Sequence, residues 1–124
     1  MDVPLLVIVD AANVVGSVPD GWWRDRRGAA ERLRDLLVPY ATEGLAEFPG
    51  PLDVVLVVEG SAREVTSVPG VRVHSAPGSG DDSIVELAAE AAGRRCLVVT
   101  ADRELRRRVA ELGAEVTGPR TVRP

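Results

Sequence analysis

Three short apolar runs, spaced widely along the chain, each end in an acidic residue, and this arrangement restricts the fold more than any other feature. LLVIVD occupies residues 5–10, VVLVVE residues 54–59 and LVVTAD residues 97–102. Runs this uniformly rich in Val, Leu and Ile suit strands covered on both faces, as in a parallel sheet between helical layers. Pro4 fits the start of the first strand, because proline cannot donate to a ladder from a strand interior. Aromatic residues make up only 3% of the chain, so Val, Leu and Ala must fill the core.

Between the runs the periodicity turns helical. Ala29, Ala30, Leu33, Leu36, Leu37 and Tyr40 share one face of an expected helix over 28–40, with Pro39 near its end. Residues 11–27 read as a loop, and 43–51 as a connection rich in Gly and Pro. The second strand covers 52–58, and Ser61 is placed to cap a short helix over 62–66. VRVHS (71–75) alternates like an edge strand after the Pro69-Gly70 turn signal. A helix is expected from Asp81 or Asp82 to about Ala92, with Gly93 beyond its end. RCLVVT (95–100) forms the fourth strand, 102–112 a further helix and 114–118 a fifth strand. Residues 119–124 read as a loose tail after a single domain over 1–118.

This alternation predicts an α/β fold: a three-layer α/β/α sandwich on a five-stranded, mostly parallel sheet. Strand order 3-2-1-4-5 sets the first and fourth strands side by side and makes Asp10 and Asp102 neighbours. In open parallel sheets, ligands bind at the edge where the strands' C-termini lie.

Composition narrows the function. Fifteen Lys+Arg, all of them Arg, against 19 Asp+Glu give a net charge of −4, so no overall cationic field marks a nucleic-acid binder and local arginine clusters would have to serve. The single cysteine, Cys96, excludes an intrachain disulfide and opens an apolar run, where it reads as a small buried hydrophobe. His74 lies alone in the expected edge strand, so no Cys/His set supports zinc. No run approaches the ~20 apolar residues needed to span a bilayer. With no basic leader at the N-terminus, the expected location is cytoplasmic. GxxxxGK[ST] and GxSxG are both absent, which argues against a P-loop or a Ser-His-Asp centre.

The acidic residues remain. Asp10, Glu59 and Asp102 close or follow strands, and Asp81-Asp82 open a helix after APGSG (76–80). Taken singly, each has an ordinary structural role as a turn former or helix cap. Gathered at one sheet edge, they repel one another unless a cation sits among them. Asp10 with Asn13 offers two hard oxygen donors on one tight loop, suited to Mg²⁺ or Mn²⁺. Asp10, Asp82 and Asp102 are the expected metal and catalytic carboxylates, with Asp81 and Glu59 as further ligand candidates. GWWRDRR (21–27) adds Trp22, Arg24 and Arg26 for stacking a base and gripping phosphate. Thr100 and Arg103, which flank Asp102, complete the expected substrate-binding set.

VIVDAANVVG (7–16), GSGDDSIVELA (78–88) and VVTADRELRRRV (98–109) resemble, in order and spacing, the three signatures of NYN domains, in particular the YacP-like group of the PIN-like nuclease superfamily. The resemblance implies a PIN-like fold, a Mg²⁺ or Mn²⁺ site and ribonuclease activity on single-stranded or structured RNA. It carries over Asp10, Asn13, Asp82 and Asp102. Many PIN nucleases place one more acid on a helix between the first two strands. Glu31, Glu43 and Glu47 lie in that interval outside any motif, and Glu59 is the candidate substitute. A non-catalytic RNA-binding module and a metal-dependent nucleotide phosphohydrolase are the alternatives, and a homodimer is compatible with all three.

Overall fold

A computed structural model describes residues 3–124. Strand β1 (Leu5–Asp10) runs directly into a six-residue helix, α1 (Ala11–Gly16), where a loop was expected. The reason is local. Asp10 caps the helix through its side chain, which accepts from the Asn13 backbone N–H. A 3₁₀ turn at Trp22–Arg24 then leads into α2 (Arg26–Glu43), longer than the expected 28–40 at both ends. Asp25 caps its start by accepting from Gly28 N, and Pro39 is accommodated inside it.

A two-residue hairpin, β2 (Gly44–Leu45) with β3 (Phe48–Pro49), occupies the connection before β4 (Leu52–Val58). The short helix expected over 62–66 is instead a 3₁₀ turn at Gly60–Ala62. The remaining elements are β5 (Val71–Ser75), α3 (Gly80–Glu90), β6 (Cys96–Val99), α4 (Arg103–Ala110) and β7 (Glu115–Thr117). Ser79, not either aspartate, caps α3.

Leaving the hairpin aside, the sheet order β5-β4-β1-β6-β7 is the expected 3-2-1-4-5, and all its pairings are parallel. Strand side chains alternate between two cores. Val7 and Val9 of β1 join Leu33 and Leu37 of α2 on one face. Leu6 and Ile8 join Ile84 of α3 and Leu105 of α4 on the other. Each fully buried Val or Leu contributes about 1.5–3 kcal/mol by leaving water. Because both faces are covered, β1, β4 and β6 read as unbroken apolar runs.

The C-terminal residues are not loose. Pro119–Thr121 form a 3₁₀ turn, Val122 is fully buried in the α1/α2 core, and its carbonyl accepts from the Tyr40 hydroxyl at 3.2 Å. Arg123 pairs with Asp20. An apolar position so near the end carried no periodicity to reveal this. No helix among the described residues is long and apolar enough to cross a membrane.

Candidate active site

The topology sets β1 between β4 and β6, so the C-termini of all three strands meet at one edge. Asp10 ends β1 and is only 5% exposed. One of its carboxylate oxygens accepts from the Thr100 hydroxyl at 2.9 Å, and the other from Asn13 N at a long 3.4 Å. Burial pushes the Asp10 carboxyl up from its ordinary 3.8 to about 6. The two hydrogen bonds oppose that rise, and the nearby charges of Asp81 and Glu59 add to it.

Asp81, half-buried on the first turn of α3, is shifted the same way. Burial is the first cause, followed by the charges of Asp102 and Glu59. Glu59 follows β4 and reaches across to α3, where its Oε2 accepts from Gly80 N at 3.0 Å. Gly80 lacks a side chain where one is not easily accommodated, because a Cβ there would lie 3.1 Å from Glu59 Oε1. Asp102 caps α4 by accepting from Leu105 N at 2.9 Å.

This arrangement alters several expected roles. The cluster consists of Asp10, Glu59, Asp81 and Asp102. Asp82, the residue marked by the resemblance, is exposed on the same helical turn and pairs with Arg108 of α4 at 3.0 Å. Adjacent helical positions lie about 100° apart, so only one of the pair can face the sheet edge. Asn13 is a clamp, its amide oxygen accepting from Ala101 N at 2.8 Å and tying α1 to the β6–α4 loop. Thr100 is fully buried, with its hydroxyl donating to Asp10 and accepting from Asp102 N at 3.1 Å, so it positions the acids and is closed to a substrate.

Arg103 is exposed on the first turn of α4. Arg106 donates to the Thr100 carbonyl at 2.7 Å and braces the end of β6. Trp22 lines a cavity beside α1 together with Arg26 and Glu59, whereas Arg24 sits over the exposed ring of Trp23, outside it.

The donor set was weighed against a divalent cation on its own chemistry. Asp10 lies within reach of the charges of Asp81 and Glu59, and Asp81 within reach of those of Asp102, Glu59 and Asp82, an oxygen-rich environment of the kind Mg²⁺ and Mn²⁺ favour. Among the described residues, however, no three His, Cys, Asp or Glu side chains converge closely enough to bind one ion directly. Any ion held at this edge would therefore keep most of its own water, the habit of Mg²⁺.

A sheet of this order with acids at its C-terminal edge invites comparison with solved folds. The crystal structure of Rae1 (YacP) from Bacillus subtilis superposes with a TM-score of 0.76 at 18% identity, covering 98% of this chain and 71% of that one. The chain has the YacP fold. A mutant of the same Bacillus subtilis protein gives a TM-score of 0.70, also at 18% identity, over 94% of this chain and 70% of that one. By sequence, no protein-family model and no curated protein matches. The likeness to YacP thus lies in topology.

Proposed function

We propose that this chain is a metal-dependent ribonuclease that hydrolyses RNA phosphodiester bonds at the C-terminal edge of its sheet. The carrying observation is the acid cluster. Asp10, Glu59, Asp81 and Asp102, drawn from four separate segments, are brought near enough for Asp81 to feel Asp102 and Glu59, and for Asp10 to feel Asp81 and Glu59. Carboxylates gathered this closely repel one another, and a cation among them would relieve that repulsion. The YacP fold and the ordered NYN-like motifs support the same reading.

Asp10, Asp81 and Asp102 would hold Mg²⁺ or Mn²⁺, with Glu59 as an outer partner. A bound ion of this kind supplies an acidified water and neutralises charge on a phosphodiester oxygen. The chain's own residues do the positioning. Thr100 fixes the Asp10 carboxylate, Asn13 ties α1 to the β6–α4 loop, and the Gly80 N–H orients Glu59. Trp22 and Arg26 flank the acids and supply a stacking face and a positive charge for RNA.

The test is cleavage of labelled single-stranded and hairpin RNA with Mn²⁺ or Mg²⁺, with EDTA as control. Cleavage should vanish in Asp10→Asn and Asp81→Asn and fall far less in Asp82→Asn. Absence of cleavage with either metal would reject the proposal. One observation favours a second reading, a non-catalytic RNA-binding module: the carboxylates do not converge on a direct coordination sphere. RNA binding that persists in Asp10→Asn, with no cleavage by the parent, would establish that reading.

A further inference from the structure

We propose that the cavity of about 200 Å³ between α1, α2 and the Gly60–Ala62 turn is a subsite for a single unpaired nucleobase. The proposal rests on the ribonuclease reading for its position beside a phosphodiester, and on the cavity itself for its occupant. Drug-sized ligands use roughly 300–1,000 Å³, so this volume is on the scale of one planar ring system.

The walls match a base. Trp22 forms one side, next to Gly16, where an added Cβ would stand 3.7 Å from the indole. The Arg26 guanidinium lies 5.4 Å from the centre of that indole ring, a cation–π pair at the mouth of the cavity. Small residues, among them Ala12, Ala30 and Ala62, line much of the remainder. With Arg26 lying over the indole ring, the pair presents the planar guanidinium and the rest of the indole surface, both of which stack any base, and places a positive charge next to the sugar–phosphate chain.

Glu59 fixes the register. It lines the cavity, and its carboxylate also takes part in the acid cluster through Gly80 N. A base seated here therefore places its own backbone next to the carboxylates. A duplex cannot supply such a base without unpairing it, so the subsite selects single-stranded or looped RNA. Trp23 lies outside the cavity, 50% exposed and edge-on to Trp22 at 5.9 Å, and has no part in it.

The experiment uses Trp23→Phe protein, in which Trp22 is the sole indole, in EDTA so that nothing is cut. Titration with single-stranded RNA oligomers should quench Trp22 emission, and a duplex of the same sequence should not. Ala12→Leu fills the mouth from an exposed position on α1, which spares the core. It should weaken single-strand binding at least about tenfold while leaving the melting curve unchanged, in keeping with the ~1–3 kcal/mol that one stacked base contributes. Arg26→Ala should weaken it by a comparable factor.

Equal quenching by duplex, or unchanged affinity in Ala12→Leu, overturns the subsite. The two readings fail separately. RNA that quenches Trp22 but is never cut with Mg²⁺ or Mn²⁺ removes the ribonuclease and leaves the subsite. RNA cut at the parental rate by Ala12→Leu removes the subsite and leaves the ribonuclease.

Discussion

Asp10→Asn should make the metal-free protein more stable at pH 8 and less stable at pH 4. In the folded chain the Asp10 carboxyl is raised from 3.8 to about 6, chiefly by burial. Each unit of such a shift is worth 1.36 kcal/mol, so ionised Asp10 costs the fold about 3 kcal/mol. Below pH 3.8 the folded and unfolded chains both carry the proton and no cost arises. Between 3.8 and about 6 only the folded chain keeps it, so stability falls as pH rises, and above about 6 the full cost is present. Asparagine has no proton to lose and escapes this slope.

Its single amide oxygen, however, can accept only from Thr100 or from Asn13 N, where the carboxylate accepts from both. One bond is lost, at about 1 kcal/mol. The net change is then about +2 kcal/mol at pH 8 and about −1 kcal/mol at pH 4. With an unfolding entropy of about 2.1 cal/mol/K per residue over this chain, the gain at pH 8 raises Tm by roughly 8 °C. Urea unfolding of parent and variant in EDTA, at pH 4, 6 and 8, measures the crossover. A variant no more stable than the parent at pH 8, or a difference that does not change with pH, would refute the burial of an ionised Asp10 carboxylate from which this magnitude is worked.

Gly80→Ala should push the Glu59 carboxylate out of place, because the new Cβ would stand 3.1 Å from Oε1. Cleavage should drop while Tm changes little, since alanine's better helix propensity, up to ~1 kcal/mol, offsets the local crowding. Asn13→Ala leaves Ala101 N without its acceptor, and should cost about 1 kcal/mol in urea unfolding and lower the cleavage rate by loosening α1 from the β6–α4 loop. Val122→Ala removes buried methyl groups from the α1/α2 core and should cost about 1.5–2.5 kcal/mol by the same measurement; a neutral result would mean that the C-terminal turn is not docked. Arg108→Ala breaks only a largely exposed pair with Asp82 and should shift stability by less than about 1 kcal/mol.

The strands, their order and the helices could be read from residue pattern, because burial on both faces of a parallel sheet leaves an unmistakable apolar run and the crossover rule leaves few topologies. The approach of Asp10, Glu59 and Asp102 followed from that topology, since each lies where a central strand ends. The short α1 was hidden. AANVVG has no long periodic stretch, and its stability comes from the Asp10 cap and from Val14 and Val15 packing into the core.

Which aspartate of the adjacent pair faces the other acids could not be read either. Asp81 and Asp82 have the same chemistry, and a rotation of about 100° on the first turn of α3, fixed by Ile84 and Ala88 docking on the sheet, assigns one to the cluster and the other to Arg108. Thr100 and Asn13 show the same division. Their residue types suggested a substrate contact and a metal ligand, and the fold uses both to fasten loops. Local pattern thus determined the architecture and the edge where chemistry gathers. Which polar groups at that edge stay free and which are consumed in holding it together was decided only by tertiary packing, because hydrogen-bond partners about 90 positions apart leave no trace in the neighbouring sequence.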